Sequence, residues 1–365
     1  MLKYNYTKKY TGGIHMKTER IVLSAERKVT LDLFLQEVGG EFRHITKRPA
    51  VLVIPGGGYA MCSDREADPV ALAYARAGYQ AFILRYSVGQ DAIWPRPLQD
   101  YEETMTLIRD HAEEWHVYAD KIAVVGFSAG GHLAAAAATL AENRPNAAVL
   151  GYAVLEGETA QECLSSAPDL VSAVDDKTCP CFLFATRTDN IVPISNTLNF
   201  SRALDAAGIG FESHIYAYGP HGFSVCDPAI LDPGTEIPRR AARWVEDSIA
   251  WLGDVFGEFG DRELTAPRCG EKVNDDKAEF LSVDCTMGHL MANSAARAIL
   301  APMMEAASER MAEKYGDRAE IGAQSNNTAS LGMKMTLRSA LAYGNTPAEV
   351  VAQLDAALRK IPNHI

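Results

Sequence analysis

Short apolar runs alternate with amphipathic segments along most of the chain, between about residues 28 and 255. The apolar runs are rich in β-branched residues and bounded by Gly or Pro, as strands are, and they lie at 28–35, 50–55, 80–86, 121–127, 147–154, 181–187 and 211–218. The first run alternates as an edge strand does, whereas several others are apolar throughout, as strands buried on both faces are. Segments with helical spacing lie between the runs, at 66–77, 98–115, 129–142, 193–207 and 238–252. This alternation predicts an α/β fold, a mostly parallel sheet covered by helices on both faces.

The pattern changes after residue 256. Residues 257–277 are polar and rich in Gly, Asp and Glu, and they are predicted to be a linker. Residues 278–365 have no strand pattern and are rich in Ala and Met, so we expect a small all-helical module at the C-terminus. The predicted organisation is therefore an N-terminal tail (1–18), an α/β domain (19–256), the linker and the module.

Composition excludes several classes of protein. The chain has 365 residues, with 47 acidic and 35 basic side chains and a net charge of -12, which disfavours nucleic acids as partners. The chain has no run of about 18 apolar residues, so no membrane span is predicted. The N-terminal segment lacks the apolar stretch of a secretory signal, so we expect a cytoplasmic protein. The seven cysteines are scattered without zinc-ligand spacing, and neither a metal nor a cofactor is expected.

A G-x-S-x-G pattern at residues 126–130 is the strongest chemical signal. It follows the apolar run 121–127 and precedes a helical segment of small residues, which is the context of a nucleophile elbow. The turn exposes the hydroxyl of Ser128 at the carboxyl end of the sheet and at a helix N-terminus, where developing negative charge is favoured. The sequence therefore predicts Ser128 as a catalytic nucleophile.

A nucleophilic serine needs a base and an acid, and elbow triads follow the chain order Ser, acid, His. Among the histidines after a plausible acid, His214 lies within a predicted strand, and His289 and His364 lie in the helical module. His221 lies on a loop after the last predicted strand, so we predict it as the base. Asp189 follows the run 181–187 and is predicted as the acid, against the alternative of a helix-capping Asp.

The loop at residues 55–59, Pro-Gly-Gly-Gly-Tyr, follows the run 50–55. Consecutive glycines allow the backbone to approach an acyl carbonyl and to aim an N–H group at its oxygen. In the elbow arrangement one such donor follows the nucleophile and the other comes from an earlier loop. We therefore predict an oxyanion hole formed by Ala129 together with Gly57 or Gly58.

Together these motifs resemble the acetyl esterase, or acetylxylan-esterase-like, branch of the α/β-hydrolase superfamily. The resemblance rests on PGGGY, LRYSV, the P-x-P-L-x-D approach (95–100), GFSAGGHLA, D-x-x-V-P and PHGF, which run in that family's order over residues 50–224. Lipase-like relatives have His and often Asp where this chain has Pro55 and Phe127, which favours the acetyl esterase branch. The resemblance implies a serine hydrolase that removes short acyl groups, typically acetyl, from the hydroxyls of a sugar or oligosaccharide.

Other residues near these motifs are weaker candidates for a substrate pocket. Tyr59 adjoins the oxyanion loop and is expected to line the acyl pocket. Arg65 and Glu66 are candidates to contact sugar hydroxyls, with a solvated ion pair as the alternative. Trp94 is a candidate sugar-stacking platform or an ordinary packing residue, and the Pro-rich loop at 225–240 is a candidate cover for the site.

Two other functions remain open at this point. A serine peptidase related to prolyl oligopeptidases would share the triad order, but no segment here is long enough for their propeller domain. A non-catalytic binding protein on the same scaffold would not need an intact Ser, His, Asp and glycine loop. The helical module supplies no identifiable catalytic group, so we expect it to serve packing or homo-oligomerisation.

Overall fold

A computed structural model describes residues 16–41, 43–257, 274–315 and 332–363. The chain forms two compact units, residues 1–270 and 271–365. Most of the predicted N-terminal tail (1–15) and of the predicted linker (258–273) lies outside the described residues.

An eight-stranded sheet forms the centre of the first unit. Its strands are β1 (Met16–Ser24), β2 (Val29–Gln36), β3 (Arg48–Ile54), β4 (Gln80–Arg85), β5 (Val117–Phe127), β6 (Ala147–Gly151), β7 (Cys181–Thr186) and β8 (Phe211–Tyr216). The spatial order is β1-β2-β4-β3-β5-β6-β7-β8. Strand β2 pairs antiparallel with both β1 and β4. All other neighbouring strands in this order, from β4 through β3 to β8, are parallel. The predicted mostly parallel sheet is thus confirmed.

Strand β1 was not predicted, and it changes two expectations. It pairs with β2, so β2 is an inner strand rather than the edge strand that its alternation suggested. It also begins at Met16, so the sheet starts within the residues assigned to the tail (1–18). Most of its residues are exposed, because β1 has a neighbour on one side only, and its sequence therefore lacks a hydrophobic pattern.

Helices cover both faces of the sheet. In the first unit they are α1 (Asp68–Arg76), α2 (Arg96–Asp110), α3 (Ser128–Thr139), α4 (Gly157–Cys163), α5 (Ser195–Ala207) and α6 (Trp244–Phe256). Buried side chains of α2, α3 and α5 form one core with the sheet, and those of α1 and α6 form a second core on the opposite face. No helix among the described residues is long and apolar enough to cross a lipid bilayer.

The continuous apolar run of β3 supplies both cores. Val51 and Val53 point into the core under α1 and α6, and Leu52 and Ile54 point into the other. All seven residues of this strand are buried, which explains why the run is not amphipathic. Since β3 to β8 are parallel to one another, their carboxyl ends share one edge of the sheet. The loops that follow β3, β5, β6, β7 and β8 all leave from that edge.

The second unit is built from helices around a small core of its own. Its helices are α7 (Met287–Ala292), α8 (Ser294–Tyr315), α9 (Leu337–Tyr343) and α10 (Ala348–Leu358). The buried apolar side chains are those of Leu281, Val283, Cys285, Leu290, Ala296, Leu300, Leu337, Leu341 and Leu358. Thr286 and Thr336 cap α7 and α9 by accepting hydrogen bonds from backbone N–H groups. Met287, Met303 and Met304 pack against this core, so part of the Met-rich character serves the unit itself.

Candidate active site

Ser128 occupies a sharp turn between β5 and α3. Its φ of 53° lies in the left-handed region, which is costly for a residue with a side chain, about 1–3 kcal/mol. The residue is the first of α3, so its hydroxyl lies at a helix N-terminus. The helix begins at Ser128 itself, one residue before the predicted start.

Glycines at this turn are required by close packing. A Cβ on Gly130 would lie 2.2 Å from the carbonyl oxygens of Ile54 and Pro55, at the end of β3. A Cβ on Gly126 would lie 2.4 Å from the carbonyl oxygen of Gly130. Helix α3 therefore passes closer to β3 than any larger residue would permit, and this brings Ser128 beside the loop that follows β3.

His221 bridges Ser128 and Asp189. Its Nε2 lies 2.8 Å from the Ser128 Oγ, and its Nδ1 lies 2.8 Å from the Asp189 Oδ2. Because a carboxylate only accepts hydrogen bonds, Nδ1 must carry the proton in neutral His221, which leaves Nε2 to accept from the Ser128 hydroxyl. The structure thus brings the three predicted triad residues into one hydrogen-bonded chain with the tautomer that a general base needs.

Asp189 is fixed by its other carboxylate oxygen. Oδ1 accepts hydrogen bonds from the backbone N–H groups of Ile191 and Val192, each at 2.9 Å. The side chain is only 1% exposed, so its orientation does not depend on solvent. Helix α5 begins at Ser195, and Asp189 is therefore not the cap of that helix. Its contacts hold one oxygen towards His221.

The loop of His221 is anchored to the end of β7. The Gly219 carbonyl accepts hydrogen bonds from the hydroxyls of Thr186 (2.8 Å) and Thr188 (3.2 Å), and the Gly219 N–H donates to Thr188 at 3.0 Å. These contacts join the loop that carries the base to the loop that carries the acid. The Asp189–His221 distance is therefore determined by the backbone as well as by the side chains.

The predicted oxyanion loop presents free donors. A Cβ on Gly57, whose φ is 127°, would lie 2.2 Å from the Met61 carbonyl, so this turn requires glycine. Among the described residues, the N–H groups of Gly57 and Gly58 donate to no backbone or side-chain acceptor. The N–H of Ala129 lies in the first turn of α3, where no intrahelical acceptor exists. Donors remain available from both parts of the predicted oxyanion hole.

One cavity of about 320 Å³ contains both Ser128 and His221 in its wall. Its lining is mixed in character and consists of Gly57, Gly58, Met61, Ser63, Arg65, Glu66, Ser128, Val154, Thr159, Glu162, Cys163, Ile191, Val192, His221 and Gly222. Burial raises the pKa of the Cys163 thiol above its usual value, which keeps it protonated and a poor nucleophile beside Ser128.

A second, larger cavity of about 640 Å³ lies between residues of α4 and α5. Glu156, Asp169 and Arg202 are among its lining residues, and it includes none of the three hydrogen-bonded triad candidates. Size alone therefore does not single out a candidate site, and the hydrogen-bonded Ser128 and His221 make the smaller cavity the candidate.

The candidate pocket residues divide into two pairs. Arg65 and Glu66 line the cavity, but Glu66 is only 4% exposed, so the two do not form a solvated pair. Tyr59 and Trp94 are absent from the lining, against the expected place of Tyr59 in the acyl pocket, whereas ordinary packing was one of the two alternatives for Trp94. Their rings instead pack edge-on against the His132 ring, with centroids 5.8 and 5.6 Å apart.

The loop at 225–240 reaches the rim through one ion pair. Asp232 lies 3.7 Å from the Arg65 guanidinium, and the Asp232 side chain is 88% exposed and that of Arg65 48% exposed. None of the residues from 225 to 240 lines the cavity. An exposed pair of this kind contributes little free energy, so the loop borders the site without closing it.

Sequence reasoning missed Tyr152 and helix α4. Tyr152 follows β6 directly and packs its ring against His221, with centroids 4.9 Å apart. Helix α4 contributes Thr159, Glu162 and Cys163 to the cavity. The signal for Tyr152 was its place at the carboxyl end of a parallel strand, where sites of open α/β sheets form.

Comparison with known proteins places the first unit among hydrolases. A family model described as BD-FAE matches residues 31–160. The acetylxylan esterase of Xylanibacter ruminicola is 26% identical over 243 residues, which cover 59% of this chain and 50% of that esterase. Another curated relative is covered over only 33% of its length, so the chain spans half or less of both proteins.

Two solved structures match almost over their whole length. MGS-M1, an α/β hydrolase from a Medee basin deep-sea metagenome library, is 41% identical with a TM-score of 0.60, covering 66% of this chain and 98% of that one. An acetyl ester-xyloside bifunctional hydrolase from Caldicellulosiruptor lactoaceticus is 28% identical with a TM-score of 0.56, covering 63% and 89%.

A first prediction concerns His132, which connects the oxyanion loop to α3. Its Nε2 lies 3.0 Å from the Pro168 carbonyl and must donate there, so Nδ1 accepts from the Tyr59 hydroxyl at 2.8 Å. Burial lowers the pKa of His132 from 6.5 to about 4. Between pH 6.5 and about 4, His132 is therefore protonated in the unfolded chain but neutral in the native protein. The free energy of unfolding consequently falls as the pH drops through this range.

We expect the protonation of His132 to lower the free energy of unfolding by about 3 kcal/mol across that pH range. The measurement is urea unfolding of the full chain and of His132→Gln at several pH values between about 4 and 7. Gln can accept from Tyr59 and donate to Pro168 but does not titrate, so the variant should lose stability less steeply with acid. If the free energy of unfolding fell equally steeply with acid in both proteins, His132 would not be the group responsible.

Proposed function

This chain belongs to the esterase-like α/β-hydrolase family, and on that premise we propose that it is a serine esterase that hydrolyses short acyl esters. The substrates we propose are acetyl esters of sugars or xylo-oligosaccharides. The observation that carries the proposal is the hydrogen-bonded chain from Ser128 through His221 to Asp189 in the wall of the 320 Å³ cavity.

The proposed reaction begins when the Ser128 Oγ attacks the ester carbonyl carbon. His221 Nε2 takes the hydroxyl proton as the C–O bond forms and the carbonyl electron pair moves to oxygen. Collapse of this tetrahedral intermediate breaks the bond to the alcohol, which leaves with the proton from His221. Water then repeats the sequence on the acyl-enzyme and releases the carboxylic acid.

Charge changes at two atoms must be stabilised during these steps. The N–H groups of Ala129 and of Gly57 or Gly58 are proposed to bind the developing oxyanion. Asp189 is proposed to stabilise His221 when it becomes an imidazolium, because its carboxylate accepts the Nδ1–H bond at 2.8 Å. Since the side chain of Asp189 is almost wholly buried, this interaction is little screened by solvent.

The cavity supports a small acyl group and a polar alcohol. Its volume is near the lower end for ligand sites, about 300–1,000 Å³. Met61, Val154 and Ile191 provide apolar contact, whereas Arg65 and Glu162 offer hydrogen bonds to hydroxyl groups. The relatives described as an acetylxylan esterase and an acetyl ester-xyloside hydrolase support an acetylated sugar as the substrate class.

The nucleophile can be tested by substitution. Ser128→Ala should abolish hydrolysis of 4-nitrophenyl acetate, since only a hydroxyl at this turn can form the acyl-enzyme. His221→Ala should lose about as much activity, by roughly 10⁴-fold or more, because triad members act as a unit. His214→Ala is the matched control, because His214 lies on β8 and pairs with Glu212. Retention of more than a few per cent of activity by Ser128→Ala would overturn the assignment.

Acyl chain length provides an independent test. A cavity of about 320 Å³ that also has to admit an alcohol leaves little room for a long chain. The kcat/KM for 4-nitrophenyl acetate should exceed that for the octanoate by at least roughly tenfold, a difference of about 1.4 kcal/mol in barrier. Steady-state rates across acetyl, propionyl, butyryl and octanoyl esters check this. A preference for octanoyl esters would contradict the proposed substrate class.

The helical module is proposed to have a packing or homo-oligomerisation role. Among the described residues, those in the wall of the cavity all lie between Gly57 and Gly222. Removal of residues 271–365 should therefore leave kcat on 4-nitrophenyl acetate within about tenfold. It should lower the unfolding midpoint or the number of chains per particle measured by light scattering. A folded truncation with unchanged stability and an unchanged number of chains per particle, but weaker binding of an acetylated oligosaccharide, would show a substrate-binding module instead.

A further inference from the structure

We propose that Glu66 is a positioning residue for this reaction, whose buried carboxylate holds the oxyanion loop through Gly56 and the base through Tyr152. The inference rests on the proposed function, because these two elements must be aligned only if Ser128 is the nucleophile. It differs from both alternatives drawn from the sequence, in which Glu66 contacts a sugar hydroxyl or forms a solvated pair with Arg65.

Both carboxylate oxygens of Glu66 have protein partners. Oε2 accepts a hydrogen bond from the Gly56 N–H at 2.9 Å, and Oε1 accepts one from the Tyr152 hydroxyl at 2.6 Å. The residue is 4% exposed although it lies in the wall of the cavity. Both carboxylate oxygens therefore accept hydrogen bonds from protein donors rather than from a bound sugar.

The contact with Gly56 bears on the oxyanion hole. Gly56 directly precedes Gly57 and Gly58, whose N–H groups are the proposed donors. A Cβ on Gly56 would lie 2.6 Å from the Phe127 carbonyl and 2.9 Å from the Ser128 Cβ, so this loop packs directly against the turn of the nucleophile. A change in the position of Gly56 would consequently alter the distance between the donors and the oxyanion formed on Ser128.

The contact with Tyr152 bears on the base. The Tyr152 hydroxyl donates to Glu66 and accepts from the Ser224 N–H at 3.1 Å, three residues after His221. The Tyr152 ring also meets the His221 ring edge-on, with centroids 4.9 Å apart. Ser224 closes the loop of contacts by donating its hydroxyl to the Arg65 carbonyl at 2.5 Å. The Glu66 carboxylate thus connects the oxyanion loop, through Gly56, with the loop of the base, through Tyr152.

Both oxygens of Glu66 accept hydrogen bonds, from the Tyr152 hydroxyl and the Gly56 N–H, and these bonds favour the carboxylate. The net shift of its pKa is nevertheless upward, because burial raises it by more than these hydrogen bonds lower it. An anionic Glu66 attracts a protonated His221, which is the state formed when the base accepts the Ser128 proton. Glu66 would then act on the transition state through orientation and charge without touching the substrate.

The experiment compares kcat and KM of the full chain and its variants on 4-nitrophenyl acetate. Glu66→Gln keeps the shape, but the amide has one carbonyl oxygen, so its NH₂ group must face one of the two donors. We expect kcat to fall about tenfold to a hundredfold, with KM within about twofold. Tyr152→Phe removes the donor to Oε1 and should lower kcat in the same way.

Asp100→Asn is the matched control. Asp100 is a carboxylate that is 1% exposed and accepts a hydrogen bond from the Ser87 N–H at 2.8 Å, yet it is absent from the cavity wall. Its substitution should lower the unfolding midpoint and leave kcat within about twofold. An equal fall of kcat in Asp100→Asn and Glu66→Gln would overturn the inference, since any buried carboxylate would then have the same effect.

Other outcomes separate this inference from the proposed function. Wild-type kcat in Glu66→Gln with an inactive Ser128→Ala would overturn the inference alone. A rise in KM at unchanged kcat would make Glu66 a substrate ligand and also overturn it. If Glu66→Gln fails to fold, wild-type kcat in Tyr152→Phe has the same consequence. Full activity of Ser128→Ala would instead remove the proposed function.

Discussion

The close approach of helix α3 to the end of β3 is the constraint on which the rest of the site depends. It exists because Gly130 has no side chain to meet the carbonyl oxygens of Ile54 and Pro55. At this spacing the chain must turn sharply at Ser128, whose φ of 53° has a conformational cost that the packed cores on both sides of the sheet can offset. The same approach brings the loop after β3 within reach of the Ser128 hydroxyl.

Each remaining component reaches this point from the end of a different parallel strand. Asp189 follows β7, His221 follows β8 and Tyr152 follows β6. Hydrogen bonds between loops then fix the components relative to one another, through Thr186 and Gly219 on one side and through Glu66 on the other. Such preorganisation lets polar groups act on developing charge without first reorienting.

The features that could be predicted from sequence were those whose cause is local. Strands such as β3 are buried on both faces and therefore apolar throughout, and the turn at Ser128 requires small neighbours that a motif records. The positions of His221 and Asp189 followed from chain order once the strands were assigned. Their catalytic roles, and those of the glycine loop, remain proposals that geometry supports.

The features that were missed depend on contacts between distant parts of the chain. Tyr59 turns to His132, 73 residues away, and so leaves the pocket that its neighbours line. Strand β1 is mostly exposed and helix α4 is short, so neither has a clear hydrophobic period. Glu66 looks like a surface residue beside Arg65, and only the fold shows that the Gly56 N–H and the Tyr152 hydroxyl surround it.

The central claim is that Ser128 is a nucleophile whose oxyanion is bound by backbone N–H groups. The most direct test is a crystal structure of the full chain after reaction with a fluorophosphonate, which mimics the tetrahedral intermediate. The account predicts a phosphorus–Oγ bond at Ser128, with the phosphoryl oxygen accepting hydrogen bonds from Ala129 and from Gly57 or Gly58. An adduct on another residue, or a phosphoryl oxygen directed away from these donors, would contradict it.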